Sequence, residues 1–208
     1  MPYIVELTKQ NEQTTSNWSG GTTTQIAIYP KDAIYSEKNF IWRLSSARVE
    51  LEESNFTSLP GIWRLIMVLE GEMRLEHTGH HSIYLKPFEQ DSFSGDWETK
   101  SIGKVRDFNL MMAEGCSGEL MAIELKEKTS SKLTIHNPNP DRYSKMTSAF
   151  YCVVGKLSIT IDDTDVYELT QGDLLLLSPS KPTENLSITI ANTGNSQAYI
   201  IKADIQYC

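Results

Sequence analysis

The chain contains an internal repeat without an insertion, and this repeat constrains the fold more than any other feature. The segment from Glu70 to Phe93 aligns with the segment from Val154 to Leu177. In each copy a strand runs into a glycine, a second strand of alternating apolar residues follows, and a polar turn leads to a short third strand. The pattern predicts two similar β-rich domains in tandem.

The two copies differ in polarity. Arg64 in the first copy corresponds to Ser148 in the second, and Asp91 corresponds to Leu175. Charged residues on otherwise apolar strands are costly to bury unless they have a partner. We therefore expect the first copy to hold a ligand and the second to serve as structural support.

Composition narrows the class of protein. The chain has 208 residues and a formal net charge of -8, which argues against a nucleic acid as partner. No apolar run approaches the roughly 20 residues that span a bilayer, and the first residues lack the features of a secretory signal. Cys116, Cys152 and Cys208 are odd in number and form no Cys-x-x-Cys pair, as is typical of a reducing compartment. These features predict a cytoplasmic protein without a membrane partner.

Strand and turn signals extend along the whole chain, and helical periodicity is scarce. Residues 126–131 form a polar run, and residues 136–141 carry the strongest loop signals. A linker is expected between them, which gives a first domain over residues 1–126 and a second over residues 127–208. Closing each repeat into an antiparallel barrel removes exposed strand edges. The predicted fold class is all-β, with two tandem jelly-roll-like barrels.

Polar residues on predicted buried strands are the candidates for a binding site. Arg43 and Arg64 each share a strand face with apolar neighbours, and Asp107 and Asn109 share one face of a third strand. A buried guanidinium requires either a carboxylate of the protein or an anionic ligand. The structural alternative is that the arginines form buried ion pairs with Asp107 or Asp96.

Aromatic and amide residues complete the candidate site. Trp18 precedes a Gly-Gly turn that allows close approach of the backbone, and Gln25 offers a neutral hydrogen-bonding group. Trp42 and Phe93 are expected to form walls, although aromatic residues in such strands also serve as core or rim residues. The turn is not a phosphate loop, because no helix or lysine follows it.

The repeat unit resembles the cupin barrel, and the sequence from Gln171 to Asp173 is similar to the approach to a later cupin strand. Many cupin enzymes bind a metal through a His-x-His pair, a glutamate and a third histidine. Here His80 and His81 are adjacent, so they point to opposite faces of a strand or lie in a hairpin turn. No histidine is expected on a buried face of the first barrel, and the sequence predicts no metal and no other cofactor.

A set of short motifs resembles the HutD/Ves family. The motifs are Asn17–Ile26, Phe40–Ala47, Pro60–Arg64, Leu69–Gly71, Phe93–Asp96 and Arg106–Met111. The resemblance implies a double-barrel cupin (bicupin) without a catalytic metal and a pocket in the first barrel that contains the arginine matched by Arg64. It also implies a link to histidine utilisation, where binding of a small carboxylate and a regulatory role have been proposed. Gln25 stands where many relatives carry an acidic residue.

The leading hypothesis is a binding module for a small organic acid similar to formylglutamate or urocanate. Arg64 is the expected carboxylate anchor, Arg43 is a second positive or structural group, and no residue is assigned as catalytic. The alternative is a metal-independent isomerase, epimerase or lyase that acts on a carboxylated or sugar-like substrate, with Asp107 or an available histidine as proton acceptor. A further alternative is that the pocket is vestigial and the protein works through contacts, with the second barrel as a homodimer surface.

Overall fold

Across residues 2–208, which the computed structural model describes, the chain forms nineteen β-strands and two short 3-10 helices, Gln10–Glu12 and Tyr35–Glu37. No helix in this range is long and apolar enough to cross a membrane. The chain divides into two compact units. The first unit is Gln13–Cys116, and the second combines the described residues up to Glu12 with Ser117–Cys208.

The first unit consists of two antiparallel sheets. Its strands are β2 (Thr14–Trp18), β3 (Gly21–Tyr29), β4 (Trp42–Val49), β5 (Glu53–Asn55), β6 (Ile62–Gly71), β7 (Met73–His77), β8 (Ser82–Leu85), β9 (Gln90–Ser94), β10 (Thr99–Ile102) and β11 (Val105–Ala113). The six-stranded sheet has the order β2-β3-β4-β11-β6-β9, and the four-stranded sheet has the order β5-β10-β7-β8.

The second unit repeats this plan. Its strands are β1 (Tyr3–Thr8), β12 (Ser117–Leu125), β13 (Ser130–Ile135), β14 (Lys145–Val154), β15 (Lys156–Ile161), β16 (Asp165–Thr170), β17 (Leu174–Pro179), β18 (Leu186–Asn192) and β19 (Ala198–Tyr207). The five-stranded sheet has the order β1-β17-β14-β19-β12, and the four-stranded sheet has the order β13-β18-β15-β16. The predicted all-β class with two jelly-roll-like halves is confirmed.

The repeat seen in the sequence corresponds to β6–β9 in the first unit and β14–β17 in the second. β6 is buried on both faces over most of its length, as expected for an interior strand of a covered sheet. At its end Gly71 adopts a φ of +80°, and a Cβ there would lie 2.4 Å from the Lys104 carbonyl oxygen. Only glycine fits this turn into β7 without strain.

Each unit has an apolar core between its sheets. In the first unit Ile66, Leu75 and Phe93 are almost fully buried in one cluster, and in the second Phe150 and Ile159 belong to the corresponding cluster. Burying each such side chain contributes about 1.5–3 kcal/mol. These cores hold the sheets on which the polar residues are presented.

The compact units do not follow the predicted boundary between residues 126 and 127. β1 pairs with β17, with Tyr3 opposite Pro179, and β12 pairs with β19 along its whole length. Both strands therefore complete the second unit, although the sequence analysis assigned them to the first domain. The predicted linker also contains β13, which pairs with β18. Residues 126–131 overlap the start of this strand, and residues 136–141 follow its end.

Candidate functional site

A cavity of about 670 Å³ lies against the six-stranded sheet of the first unit. This volume is within the range of about 300–1,000 Å³ that holds small molecules. Alternate residues of β4 and β11 face it, as the side-chain alternation of strands requires. These residues are Arg43, Ser45, Ala47, Val49, Asp107, Asn109 and Met111. Other parts of the lining come from residues 16–19 and from residues 53–57.

Strand register places the two arginines in one row. Arg43 on β4 and Arg64 on β6 both lie opposite Met111 on β11, which runs between them. Because neighbouring strands are about 4.8 Å apart, the Cα atoms of the arginines are separated by about 10 Å. Phe93 on β9 continues the row beside Arg64. The cavity thus has two cationic side chains on one wall.

Arg64 is a buried cation without a hydrogen-bonded carboxylate. Its side chain is 7% exposed, and its buried Nε has no hydrogen-bond partner among residues 2–208. The guanidinium carbon lies 4.6 Å from the centre of the Phe56 ring and 5.2 Å from that of Phe93. Burial lowers the pKa of Arg64 to about 10, which still leaves it charged at neutral pH. Arg64 therefore lines the cavity as a cation that no carboxylate of the described chain contacts directly.

Arg43 is better held by the protein. Its Nε donates to Gln25 Oε1 at 2.9 Å, and one terminal nitrogen donates to Ser45 Oγ at 3.1 Å. Its guanidinium carbon lies 4.2 Å from the centre of the Tyr35 ring. Burial lowers the pKa of Arg43 below its ordinary value. These contacts fix the orientation of the second cation.

Asp107 is the buried acidic group of the cavity. The register between β11 and β6 shifts between Arg106 and Asp107, as in a β-bulge. Asp107 Oδ1 accepts a hydrogen bond from the backbone nitrogen of Ala47 at 3.1 Å. Burial raises the pKa of this carboxyl to about 6, although the Ala47 hydrogen bond and the charge of Arg64 act in the opposite direction.

The structural alternative for the arginines was a buried ion pair. In the described chain neither Arg43 nor Arg64 forms such a pair, and Asp107 acts on Arg64 only through its charge. Asp96 instead accepts a hydrogen bond from Ser94 Oγ at 3.1 Å. The buried cations are therefore not neutralised by a direct carboxylate contact.

The structure brings five of the eight predicted ligand-binding residues to the cavity. They are Arg43, Arg64, Trp18, Asp107 and Asn109. The Trp18 ring packs over Gly20, where a Cβ would lie 2.0 Å from it, and Asn109 Oδ1 is buried without a hydrogen-bond partner among residues 2–208. All five residues line the same cavity.

The other three predicted residues lie behind the lining. Gln25 lies opposite Ser45 on the same face of the sheet, and its Oε1 accepts from Arg43 without being part of the lining. Phe93 packs against Arg64 from within the core. Trp42 does not form a wall, because it neighbours Arg43 on β4 and points to the opposite face, where it stacks on Tyr29 at 5.6 Å.

Two aromatic residues of the lining were missed by the sequence analysis. Tyr35 comes from the 3-10 helix between β3 and β4, and Phe56 from the segment after β5. Both lie in connections between strands. The alternation of apolar residues along a strand does not predict the path of such connections. Each places its ring over an arginine.

The cavity does not fit the metal that many cupins carry. Within residues 2–208 its lining includes no histidine or cysteine, and its cationic groups Arg43 and Arg64 would repel a metal ion. Its charge favours an anion.

The histidines of the first unit lie elsewhere. His80 and His81 are in the turn between β7 and β8, as predicted, but His77 at the end of β7 is buried. The expectation that no histidine lies on a buried face was wrong, because His77 follows Met73 and Leu75 on the inward face of the strand.

Comparison with known proteins gives the family context. The family model described as HutD matches residues 10–198. A protein from Pseudomonas putida, described as an uncharacterized 21.2 kDa protein in the hutC 3' region, is 39% identical over 98 residues, or 45% of this chain. The matched segment spans 50% of that relative's length.

Solved structures share the fold. A protein of unknown function from Pseudomonas aeruginosa PAO1 has a TM-score of 0.79 and 23% identity, covering 97% of this chain and 98% of its own. HutD from Pseudomonas fluorescens SBW25 has a TM-score of 0.67 and 21% identity, covering 96% and 98%. A mutant of Bacillus subtilis oxalate decarboxylase has a TM-score of 0.68 and 7% identity, covering 95% and 76%. The cupin-type fold predicted from the repeat is confirmed.

Proposed function

Since the chain belongs to the HutD family, we propose that its first unit binds a small organic carboxylate in the cavity, with Arg64 as the anchor. The observation that carries the proposal is that Arg64 lines the cavity as a buried cation with no ion-pair partner among residues 2–208. A carboxylate accepts hydrogen bonds from a guanidinium in a planar, bidentate geometry. A carboxylate in the cavity would supply the counter-charge that the protein does not place in direct contact with Arg64.

The charges around Arg64 support an anion. Arg43 and Arg64 are like charges, and each lowers the preference of the site for a further cation. Asp107 contributes one negative charge when ionised, which leaves the group with a net positive charge. The Phe56 ring excludes water on one side and strengthens the electrostatic interaction.

The ligand class belongs to the same proposal. We infer an acid of the size of formylglutamate or urocanate, whose polar end reaches Asn109 and Arg43. The Pseudomonas putida relative is named for its position in the hutC 3' region, which supports a role in histidine utilisation. In this role the protein is a cytoplasmic sensor or regulator, and its three cysteines, which form no disulfide among residues 2–208, agree with that compartment.

Calorimetry with N-formylglutamate and urocanate tests the proposal. The wild-type protein is expected to bind one of these acids and to reject its primary amide, which lacks the charge. Arg64→Ala should weaken binding roughly 10- to 100-fold, the loss of a charge-assisted hydrogen bond of about 1.5–3 kcal/mol. The melting temperature should not fall, because the substitution removes an unpartnered buried charge.

Arg74→Ala is the matched control, since Arg74 is an exposed arginine of the same unit that pairs with Glu76 at 2.9 Å. It should leave affinity unchanged. The proposal is wrong if no carboxylate binds the wild type, or if Arg64→Ala binds as tightly as Arg74→Ala.

A second function is favoured by one observation. Asp107 lies in the cavity with a pKa raised to about 6, which suits a general acid or base near neutral pH. The alternative is therefore a metal-independent isomerase, epimerase or lyase. Incorporation of solvent deuterium into a bound acid, followed by NMR and abolished by Asp107→Asn, would establish it; binding without exchange favours the sensor.

A further inference from the structure

Three side chains of the first unit converge away from the cavity. His77 lies at the end of β7, His81 in the turn that follows, and Asp91 on β9. Their ligand atoms all lie within 4.8 Å of one another. His77 Nε2 is 2.9 Å from Asp91 Oδ2, and His81 Nε2 is 3.1 Å from both oxygens of Asp91.

The cluster is enclosed on one side and open on the other. The side chain of His77 is fully buried and that of Asp91 is 9% exposed, whereas that of His81 is 40% exposed. A ligand can therefore enter past His81 and meet two groups that the fold already holds in place.

Thr99 orients the buried imidazole. Its Oγ1 lies 2.8 Å from His77 Nδ1 and donates to the Trp97 carbonyl oxygen at 3.2 Å. This contact holds the imidazole so that Nε2 faces Asp91, as in the outer-sphere contacts that orient histidine ligands of metals.

We propose that His77 Nε2, His81 Nε2 and the Asp91 carboxylate form a binding site for a divalent transition metal ion such as zinc. Zinc binds imidazole nitrogen and carboxylate oxygen at about 2.0–2.2 Å, so ligand atoms in a tetrahedral site are about 3.3 Å apart. The two histidine contacts to Asp91, at 2.9–3.1 Å, are close to this spacing, and all three ligand atoms lie within 4.8 Å of one another. Two imidazoles select against calcium and magnesium, which prefer oxygen ligands. The fourth position faces solvent beside His81.

The metal site is separate from the carboxylate cavity. None of its three ligands lines the cavity. The Phe93 ring lies between the two sites, 4.5 Å from the His77 ring centre and 5.2 Å from the Arg64 guanidinium carbon. The inference therefore stands independently of the proposed function.

The second copy of the repeat lacks the ligands of this site. Ile161 and Leu175 of the second copy occupy the positions of His77 and Asp91. In the first unit β7 belongs to the four-stranded sheet and β9 to the six-stranded sheet. A bound ion would fasten the two sheets together at this end.

Titration of chelator-treated full-length protein with Zn²⁺ and with Co²⁺ tests the inference. Trp97 reports binding by fluorescence, because its ring centre lies 5.6 Å from that of His77 and 5.8 Å from that of His81. We expect saturable binding of one ion per chain, visible absorption of Co²⁺ in a low-symmetry site, and a higher melting temperature with Zn²⁺.

His81→Ala removes a partly exposed ligand without opening the core, and Asp91→Asn keeps the shape of the carboxylate. Each should weaken Zn²⁺ binding by at least about tenfold. His136→Ala, which removes an exposed histidine of the second unit, should bind as the wild type does. The inference fails if the wild type has no saturable site, or if its affinity equals that of His81→Ala.

Discussion

Arg64 is held by the faces of two aromatic rings, and this arrangement leaves part of its burial cost unmet. Cation–π contacts contribute about 0.5–2 kcal/mol, whereas the effective penalty of burying an ion is several kcal/mol. Ser148 at the corresponding position of the second unit avoids this cost. Retaining the arginine in the first unit alone is consistent with its proposed use as an anchor.

Asp107 gives a prediction about pH. Its folded pKa of about 6 lies above the ordinary value of 3.8, so the folded state keeps a proton that the unfolded chain has lost. This group therefore favours folding at low pH, and its contribution falls as the pH rises from about 4 to about 6. A pKa that is about two units higher in the folded state changes the free energy of unfolding by about 3 kcal/mol between low and high pH.

Asp107→Asn removes this titration while its amide oxygen can still accept from Ala47. We expect urea denaturation to show that the free energy of unfolding of the variant, relative to that of the wild type, rises by about 3 kcal/mol from pH 4 to pH 7. Parallel stability curves for the two proteins would contradict the assignment.

Strand alternation explains which site residues could be predicted. Arg43, Asp107 and Asn109 were placed together because each interrupts an apolar strand face, and burial of such groups needs a reason. The same rule places Trp42 on the opposite face of β4 from Arg43, so Trp42 does not form a wall of the cavity. His77 was also detectable, since it continues the face of Leu75. The convergence of His77 with Asp91 was not, because it depends on how two sheets pack.

At the scale of elements, β1 shows the limit of local patterns. Tyr3 and Val5 pack into the core of the second unit, while Ile4 on the other face is 62% exposed. The alternation predicts a strand, but its pairing with β17 involves residues far along the chain. The boundary error in the sequence analysis has this origin.

Val5→Asp tests how much β1 contributes. It should lower the free energy of unfolding by about 2 kcal/mol through lost apolar burial and a partly buried charge. For a chain of this length the melting temperature should fall by roughly 4–8 °C, measured by calorimetry.

Ile4→Asp is the matched control, since it makes the same chemical change on the exposed face of the same strand. Its cost should be less than about 1 kcal/mol. Equal losses for the two variants would mean that β1 is not held by the core.

At the scale of the whole molecule, the second unit is assembled from two separate parts of the chain. Lys9 Nζ lies 2.9 Å from Asp173 Oδ2, and the Gln10 backbone nitrogen donates to Asp173 Oδ1 at 3.1 Å. These contacts extend the ladder between β1 and β17. The homodimer suggested by the apolar strands of this unit stays a prediction.

A protein that lacks residues 1–12 should therefore bind β1 when it is supplied as a separate peptide. We expect its melting temperature to lie below that of the full chain and to rise again when a synthetic peptide of residues 2–12 is added in excess, by strand addition. A peptide with Val5→Asp should give little recovery. Recovery with both peptides, or with neither, would contradict the role of β1.

The placement of β1 also determines how the chain bears mechanical load. β1 and β19 belong to the same five-stranded sheet, and the first unit is inserted in the chain between β1 and β12. Tension applied through β1 and β19 therefore acts on the hydrogen bonds of that sheet, whose strands must separate before the pull reaches Gln13 and Cys116. The unit that contains Arg64 is shielded from stretching until the other unit has come apart.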